Sequence, residues 1–429
     1  MQLSNTRRYV ILILLSIIAG MVYLTPFLRF TFYDQMLVAL AIDDVQLGTI
    51  GATYGLFNVI GYIPSGFLSE RFSTKTMLIV SCLGMMVCTI WYATFPPFWA
   101  LVVIHALYGI FSVGTFWSSY LKTIRSLGTD AEQGKMFGMS EGIRGLGNCV
   151  TSFVCLGIIG AFAQVAMGFG VLLWVNVAVF ALLAVLVVFL IPKQNVDTAT
   201  HGEAVAQEEK QGSLTIIVKM LKMLKRPGVW ICIFVIFCGY ALWNTVNGYM
   251  GTYCTRVLGI PEEWSSALSI IRSYLIVFIA GVSGGLIIDR FKTKGSGMMA
   301  AYIAMAIVTA LVFVTSGFSI VCLVMTLVVA YVANVIKGTY WSILGDAGIS
   351  PADTGTATAI ISVIGLTPDI FTPAIIAQFI DYGISIGNIN VGFDLMFAWM
   401  IAFSAAGVVA GFILKKYKKH LDAKGALAE

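Results

Sequence analysis

The feature that most limits what this chain can fold into is a succession of long apolar runs, each near the roughly 20 residues a helix needs to cross a bilayer. They fall near residues 9–33, 46–69, 76–95, 97–122, 134–162, 166–192, 228–255, 262–288, 296–316, 318–344, 353–381 and 391–414. Continuous runs of this length, instead of short alternating segments, predict membrane helices and not the strands of an outer-membrane barrel. Of the 429 residues 59% are hydrophobic and only 11% charged, where a soluble domain carries about 25% charged. That balance excludes a water-soluble globular enzyme. The expected fold is an all-α membrane protein with twelve transmembrane helices.

Charge placement sets the expected orientation. Most of the 26 Lys and Arg residues lie in the N-terminus, in every second loop and in the C-terminal tail, including Arg7, Arg8, Lys122, Arg125, Lys292, Lys415 and Lys416. The opposite loops are acidic, with Asp34, Asp43, Asp44, Glu262, Glu263 and Asp381. The positive-inside rule then places both termini in the cytoplasm of a multi-pass inner-membrane protein. The net charge of +5 is thereby a topology signal, and no nucleic-acid partner is expected. The eight cysteines form no CxxC pair and have no histidine at ligand spacing, so they read as packing residues with no metal site. No P-loop, HExxH, GxSxG or dinucleotide fingerprint is present, so neither catalytic residues nor a cofactor are expected.

Residues 193–212 are polar and rich in both charge signs, as a flexible linker is. They divide a six-helix bundle over 1–192 from another over 228–429 that ends in a short basic tail. Within the connecting 193–227, Leu214, Ile217, Leu221 and Leu224 share one helical face and Lys219, Lys222 and Lys225 another. That pattern suits a helix on an anionic leaflet, or a solvated linker helix. The two halves are related: GFLSERFSTK at 66–75 matches GLIIDRFKTK at 285–294, and GTFWS at 114–118 matches GTYWS at 338–342. The offsets, 285 − 66 = 219 and 338 − 114 = 224, are close enough to make the repeat collinear. Two pseudo-symmetric bundles in one orientation suit a transporter.

The first repeated loop resembles the loop between helices 2 and 3 of the major facilitator superfamily in Gly66, Leu68, Ser69, Glu70, Arg71 and Lys75, and departs from it at Ser73 and Thr74. The resemblance implies the major facilitator fold and a gate made by Gly66, Glu70, Arg71, Lys75, Asp289 and Arg290. An acid–Arg pair at a helix end can engage in one conformation and release in another, which biases an alternating-access equilibrium. In overall look the chain is similar to the YihN/YqcE-type bacterial transporters.

A charge at bilayer depth costs about 2.5 to 3.5 kcal/mol even on the lenient insertion scale, so each intramembrane charge invites a functional reading. Four bases, Arg29, Arg144, Arg272 and Lys337, face two acids, Glu141 and Asp369, with His105 the one histidine at this depth. The excess of positive charge favours an anionic substrate. Arg29, in GMVYLTPFLRF, resembles the helix-1 Arg of the organophosphate:phosphate antiporter branch, whose fork suits phosphate, sulfonate or carboxylate. Where that branch carries a second Arg, this chain has Trp243 and Asn244. Substrate contacts are therefore expected at Arg29, Arg144, Arg272, Trp243 and Asn244, and proton coupling at Glu141 or Asp369. Simpler roles stay open: Arg144 pairing with Glu141 one turn away, Arg272 bonding backbone carbonyls, and Asp369 capping a break made by the two prolines of LTPDIFTP. Gly134, Gly138 and Gly142, at intervals of four, predict a close helix–helix approach. GIRGLGN has no proline, unlike the helix-5 signature of drug/proton antiporters. The reading is a monomeric secondary transporter for a small organic anion, with membrane lipid and protons as further partners. Efflux of amphipathic compounds and a non-transporting sensor are the alternatives.

Overall fold

The computed structural model describes residues 4–128, 132–192, 220–315, 319–350 and 353–425. The predicted linker over 193–212, together with Leu214, Ile217 and Lys219 of the amphipathic stretch, lies outside the described residues. Among the described residues the regular structure is all helical. In chain order the helices are α1 (Asn5–Leu24), α2 (Tyr33–Leu40), α3 (Asp44–Arg71), α4 (Thr74–Tyr92), α5 (Phe98–Gly109), α6 (Trp117–Leu127), α7 (Gln133–Gly160), α8 (Val165–Leu190), α9 (Pro227–Arg256), α10 (Glu262–Ile270), α11 (Ile276–Asp289), α12 (Lys294–Val314), α13 (Ser319–Thr339), α14 (Thr354–Gly365), α15 (Pro368–Ser385) and α16 (Ile389–Gly425). Among the described residues, eleven spans are long and apolar enough to cross a membrane, or twelve if α2 and the start of α3, bent by 108°, count as one. The chain is thus an all-α, multi-spanning membrane protein.

Local chemistry explains where the helices break. Instead of continuing to residue 33, α1 stops at Leu24: Thr25 still has helical geometry and bonds the Met21 carbonyl, but Pro26 has no N–H to continue the ladder. A 3₁₀ turn, Leu28–Phe30, follows and carries Arg29. Only the first proline of LTPDIFTP marks a break: Pro368 opens α15, whereas Pro373 lies inside that helix. Asp43 and Gln46 form a reciprocal cap at the start of α3, at 2.7 and 3.1 Å. The two repeated loops cap the next helix alike. Ser73 Oγ accepts from the Thr76 amide at 3.2 Å, and Thr293 Oγ1 from the Ser296 amide at 3.1 Å. Ser73, a departure from the superfamily pattern, is thereby the N-cap of α4.

Two compact units emerge from the packing: one takes the chain up to residue 202 with Glu262–Leu275, the other Glu203–Pro261 with Ile276–Glu429. In the first, α3 packs on α5, α4 on α8 and α1 on α7, while α10 lies against α7. Gln35 Nε2 on α2 donates to Ser266 Oγ at 2.9 Å. In the second, α16 packs on α9, α12 and α15, and α11 on α13.

Glycines bring backbones together at repeated places, but not where the spacing of four predicts. A Cβ on Gly61 would stand 3.1 Å from the Gly114 amide, and one on Gly338 would stand 3.6 Å from Gly281 Cα. Both 114 and 338 are the first residues of the repeated GTFWS and GTYWS motifs. Gly138 and Gly142, by contrast, have nothing within 4 Å of an added Cβ. The basic tail continues as the last turns of α16. It fits against three glycines: an added Cβ would meet Tyr417 Cε1 at 3.2 Å from Gly228, the Lys415 amide at 2.9 Å from Gly295, and Leu421 Cδ1 at 2.8 Å from Gly348.

Candidate functional site

The second unit holds a cluster of buried polar side chains. Helical spacing puts Tyr240, Trp243 and Asn244 on one face of α9. The break before Pro368 puts Asp369 in the first turn of α15, where a carboxylate is favoured by the helix dipole. Tyr240 donates its hydroxyl to Asp369 Oδ2 at 2.7 Å, and Asn244 Nδ2 donates to Asp369 Oδ1. Tyr240 stacks on Trp243, with ring centroids 5.3 Å apart and 25° between planes. The Trp243 indole N–H donates to Asn334 Oδ1 on α13 at 3.0 Å, and Asn334 Nδ2 donates to the Ala330 carbonyl at 2.8 Å. One turn beyond Asn334, Lys337 Nζ stands 3.2 Å from the Trp243 ring centroid. Tyr240, Asn244, Asn334 and Asp369 are buried, whereas Trp243 and Lys337 are partly exposed.

Three residues expected from the sequence, Trp243, Asn244 and Asp369, therefore meet in one place. Tyr240, Asn334 and Lys337 join them. Lys337 was legible as an intramembrane cation and Tyr240 as a neighbour one turn from Trp243, but nothing in the sequence singles out Asn334.

The expected bases of the first unit are placed differently from one another. Arg29 is 3% exposed, with its guanidinium carbon 4.6 Å from the Phe30 ring centroid. Its Nη1 is buried without a hydrogen-bond partner among the described residues. Phe30 stacks on Phe27 at 4.7 Å, and Phe27 meets the edge of Tyr54 at 5.0 Å, so the turn sits in an aromatic pocket. Arg144, half-buried, is ion-paired with the exposed Glu141 on α7, as their i,i+3 spacing allows, and its Nε is buried without a hydrogen-bond partner among the described residues. Arg272 is 1% exposed within a π turn, Ile271–Leu275, and donates to Ser269 Oγ at 2.8 Å. Such π turns occur often at functional positions. His105, 2% exposed, has Nδ1 2.8 Å from the Leu101 carbonyl and rings of Tyr92 and Tyr108 on its edges.

The gate residues lie at helix ends. Asp289 pairs with Lys294 across the loop between α11 and α12, and Arg290 and Arg71 are exposed. Lys75 Nζ donates to the Val188 carbonyl near the end of α8 at 2.6 Å, a favourable place for a cation. The surroundings of Gly66 and of the Glu70 side chain lie outside what is described.

This arrangement of helices, breaks and buried charge belongs to a known class. The pattern that defines the Major Facilitator Superfamily matches residues 10–372, and the chain belongs to that superfamily of secondary-active transporters. Membership argues against an enzymatic role.

Among its relatives, the inner membrane protein YqcE of Escherichia coli K12 is 26% identical over 439 aligned positions, which cover 100% of this chain and 99% of YqcE. The inner membrane protein YihN of the same strain is 23% identical, with 96% of each chain covered. Among solved structures, a bacterial homolog of the human lysosomal transporter Spinster, inward-facing and unoccupied, superposes with a TM-score of 0.73 at 13% identity, covering 97% of this chain and 98% of the other. That likeness concerns the fold alone.

Proposed function

We propose that this protein carries a small organic anion, bearing a phosphate, sulfonate or carboxylate group, across a bacterial inner membrane with both of its termini in the cytoplasm. The observation that carries the reading is Arg29, a guanidinium 3% exposed whose Nη1 has no hydrogen-bond partner among the described residues. A buried charged donor left unmet is costly unless a ligand completes it. Arg144 and Arg272 add positive charge in the same unit. Coupling to protons runs through a membrane carboxylate: Asp369 is buried and accepts from Tyr240 and Asn244, while Glu141 is exposed and paired with Arg144.

The experiment is a thermal-shift screen of the purified protein against glucose 6-phosphate, a sulfonated sugar and glucuronate, with glucose as the uncharged control. A ligand that binds only the folded state raises the melting temperature with its concentration. Stabilisation by the anions and not by glucose is the expected result. Stabilisation by amphipathic cations alone would favour the efflux alternative.

A further inference from the structure

We propose that the last turns of α16 form a docking surface for an anionic phospholipid, with Lys416 and Lys419 taking the phosphate of its headgroup. The proposal is independent of the substrate reading. On α16, Val409, Phe412, Ile413, Lys416 and His420 stand at the i, i+3, i+4, i+7 and i+11 spacing of one helical face, with Lys419 at its edge. All six are exposed. The face is thus apolar up to residue 413 and basic beyond it, which matches a lipid that presents acyl chains and then a phosphate.

Two contacts fix the depth of that boundary. Trp230 on α9 is exposed, with its indole N–H donating to the Leu224 carbonyl at 2.7 Å, and tryptophan favours the headgroup level. A Cβ on Gly228, two residues earlier, would stand 3.2 Å from Tyr417 Cε1, so Tyr417 and the adjoining Lys416 lie at the same level. The Lys416 ammonium is 4.6 Å from the Phe412 ring centroid, a contact that holds the charge beside the end of the apolar stripe. No acid of this face neutralises it. Lys418 pairs with Asp422 at 2.5 Å on the opposite face, whereas Lys416 and Lys419 have no ion pair among the described residues. A lipid phosphate supplies the negative charge that the two lysines lack, at the depth where they stand.

The test places a tryptophan at Ile413, on the proposed face, in the full-length protein reconstituted into vesicles of dioleoylphosphatidylcholine and dioleoylphosphatidylglycerol. The emission difference between Ile413→Trp and wild type isolates the reporter, and acyl-chain-brominated forms of either lipid quench it on contact. Phosphatidylglycerol is expected to bind beside residue 413 about fivefold or more tightly than phosphatidylcholine. The two lipids are expected to bind equally once Lys416→Gln and Lys419→Gln are added, while Lys416→Arg with Lys419→Arg keeps the preference. A preference that survives the glutamine pair overturns the proposal, as does equal binding of the two lipids to Ile413→Trp itself. Should the pair not fold, Lys416→Gln alone is expected to lower the preference about twofold or more, and no change overturns the site. A reporter at Val324, exposed on α13, is expected to show no preference. An equal preference there would assign the effect to the membrane at large and overturn the surface. Replacing chloride by inorganic phosphate at constant ionic strength is expected to leave the preference at Ile413→Trp intact, and its loss would make this a site for a free anion in place of a lipid.

Discussion

Arg29 and Arg144 carry the same charge in different company, and the difference decides what each substitution should do. Arg144 has Glu141 one turn away, with its Nε buried and unmet among the described residues, whereas the guanidinium of Arg29 is packed on Phe30 with its Nη1 unmet. Arg29→Lys keeps the charge and loses the planar two-donor fork. It is expected to weaken glucose 6-phosphate binding by about tenfold or more, with normal size-exclusion behaviour, as titration by thermal shift would read. Binding as tight as wild type in well-folded Arg29→Gln would remove Arg29 from the anion site. The two carboxylates separate in the same way. Asp369→Asn is expected to abolish accumulation driven by a pH gradient while exchange of labelled for unlabelled substrate continues in proteoliposomes, and Glu141→Gln to have the smaller effect. The reverse order would move coupling to Glu141. Both acids were legible in the sequence because charge is rare at this depth. Their surroundings were not, since Tyr240 and Asn244 reach Asp369 from a helix more than a hundred residues away.

Along the helices, the repeat visible in the loops extends to contacts that sequence comparison alone did not reveal. Arg8 on α1 pairs with Glu132 just before α7 at 2.6 Å, and Arg226 just before α9 pairs with Asp353 just before α14 at 2.7 Å. The separations between equivalent partners, 226 − 8 = 218 and 353 − 132 = 221, follow those of the repeated motifs. In the sequence the two arginines count only toward orientation and the two acids carry no signal, because a loop residue's partner depends on which helix ends meet. The glycines teach a similar lesson. Regular spacing pointed to α7, yet the close approach lies between α3 and α5, where a Cβ on Gly109 would stand 2.7 Å from Phe57 Cβ and 2.8 Å from the Asn58 amide. Gly109→Ala is expected to lower the melting temperature by several degrees, the outcome of about 1 to 3 kcal/mol of overpacking. Gly142→Ala, with open space around it, is expected to be neutral or to stabilise by up to about 1 kcal/mol through helix propensity. Differential scanning fluorimetry of the two variants side by side tests the contrast.

For the molecule as a whole, hydropathy and charge were enough to read an all-α membrane fold, because a bilayer demands long apolar helices and leaves few other solutions. Where those helices end was less legible, since Pro26 and Pro368 break their spans while Pro64 and Pro373 do not. The proposed gate acts at this scale. Arg71→Ala and Arg290→Ala are expected to slow transport in proteoliposomes while the dissociation constant for substrate stays within a few-fold, since residues at helix ends bear on exchange between conformations. An equal loss of affinity would assign them to binding instead.

Chain ends ordinarily fray before anything else, because few contacts hold them. The last turns of α16 are seated against Gly228, Gly295 and Gly348, so in this protein the C-terminal helix acts as a plug whose fit is set by side chains that three positions lack. Heating should therefore release it late, together with the starts of α9 and α12. A bulky residue at Gly295, where an added Cβ would meet the Lys415 amide at 2.9 Å, should turn that same end into the first part of the second unit to come loose.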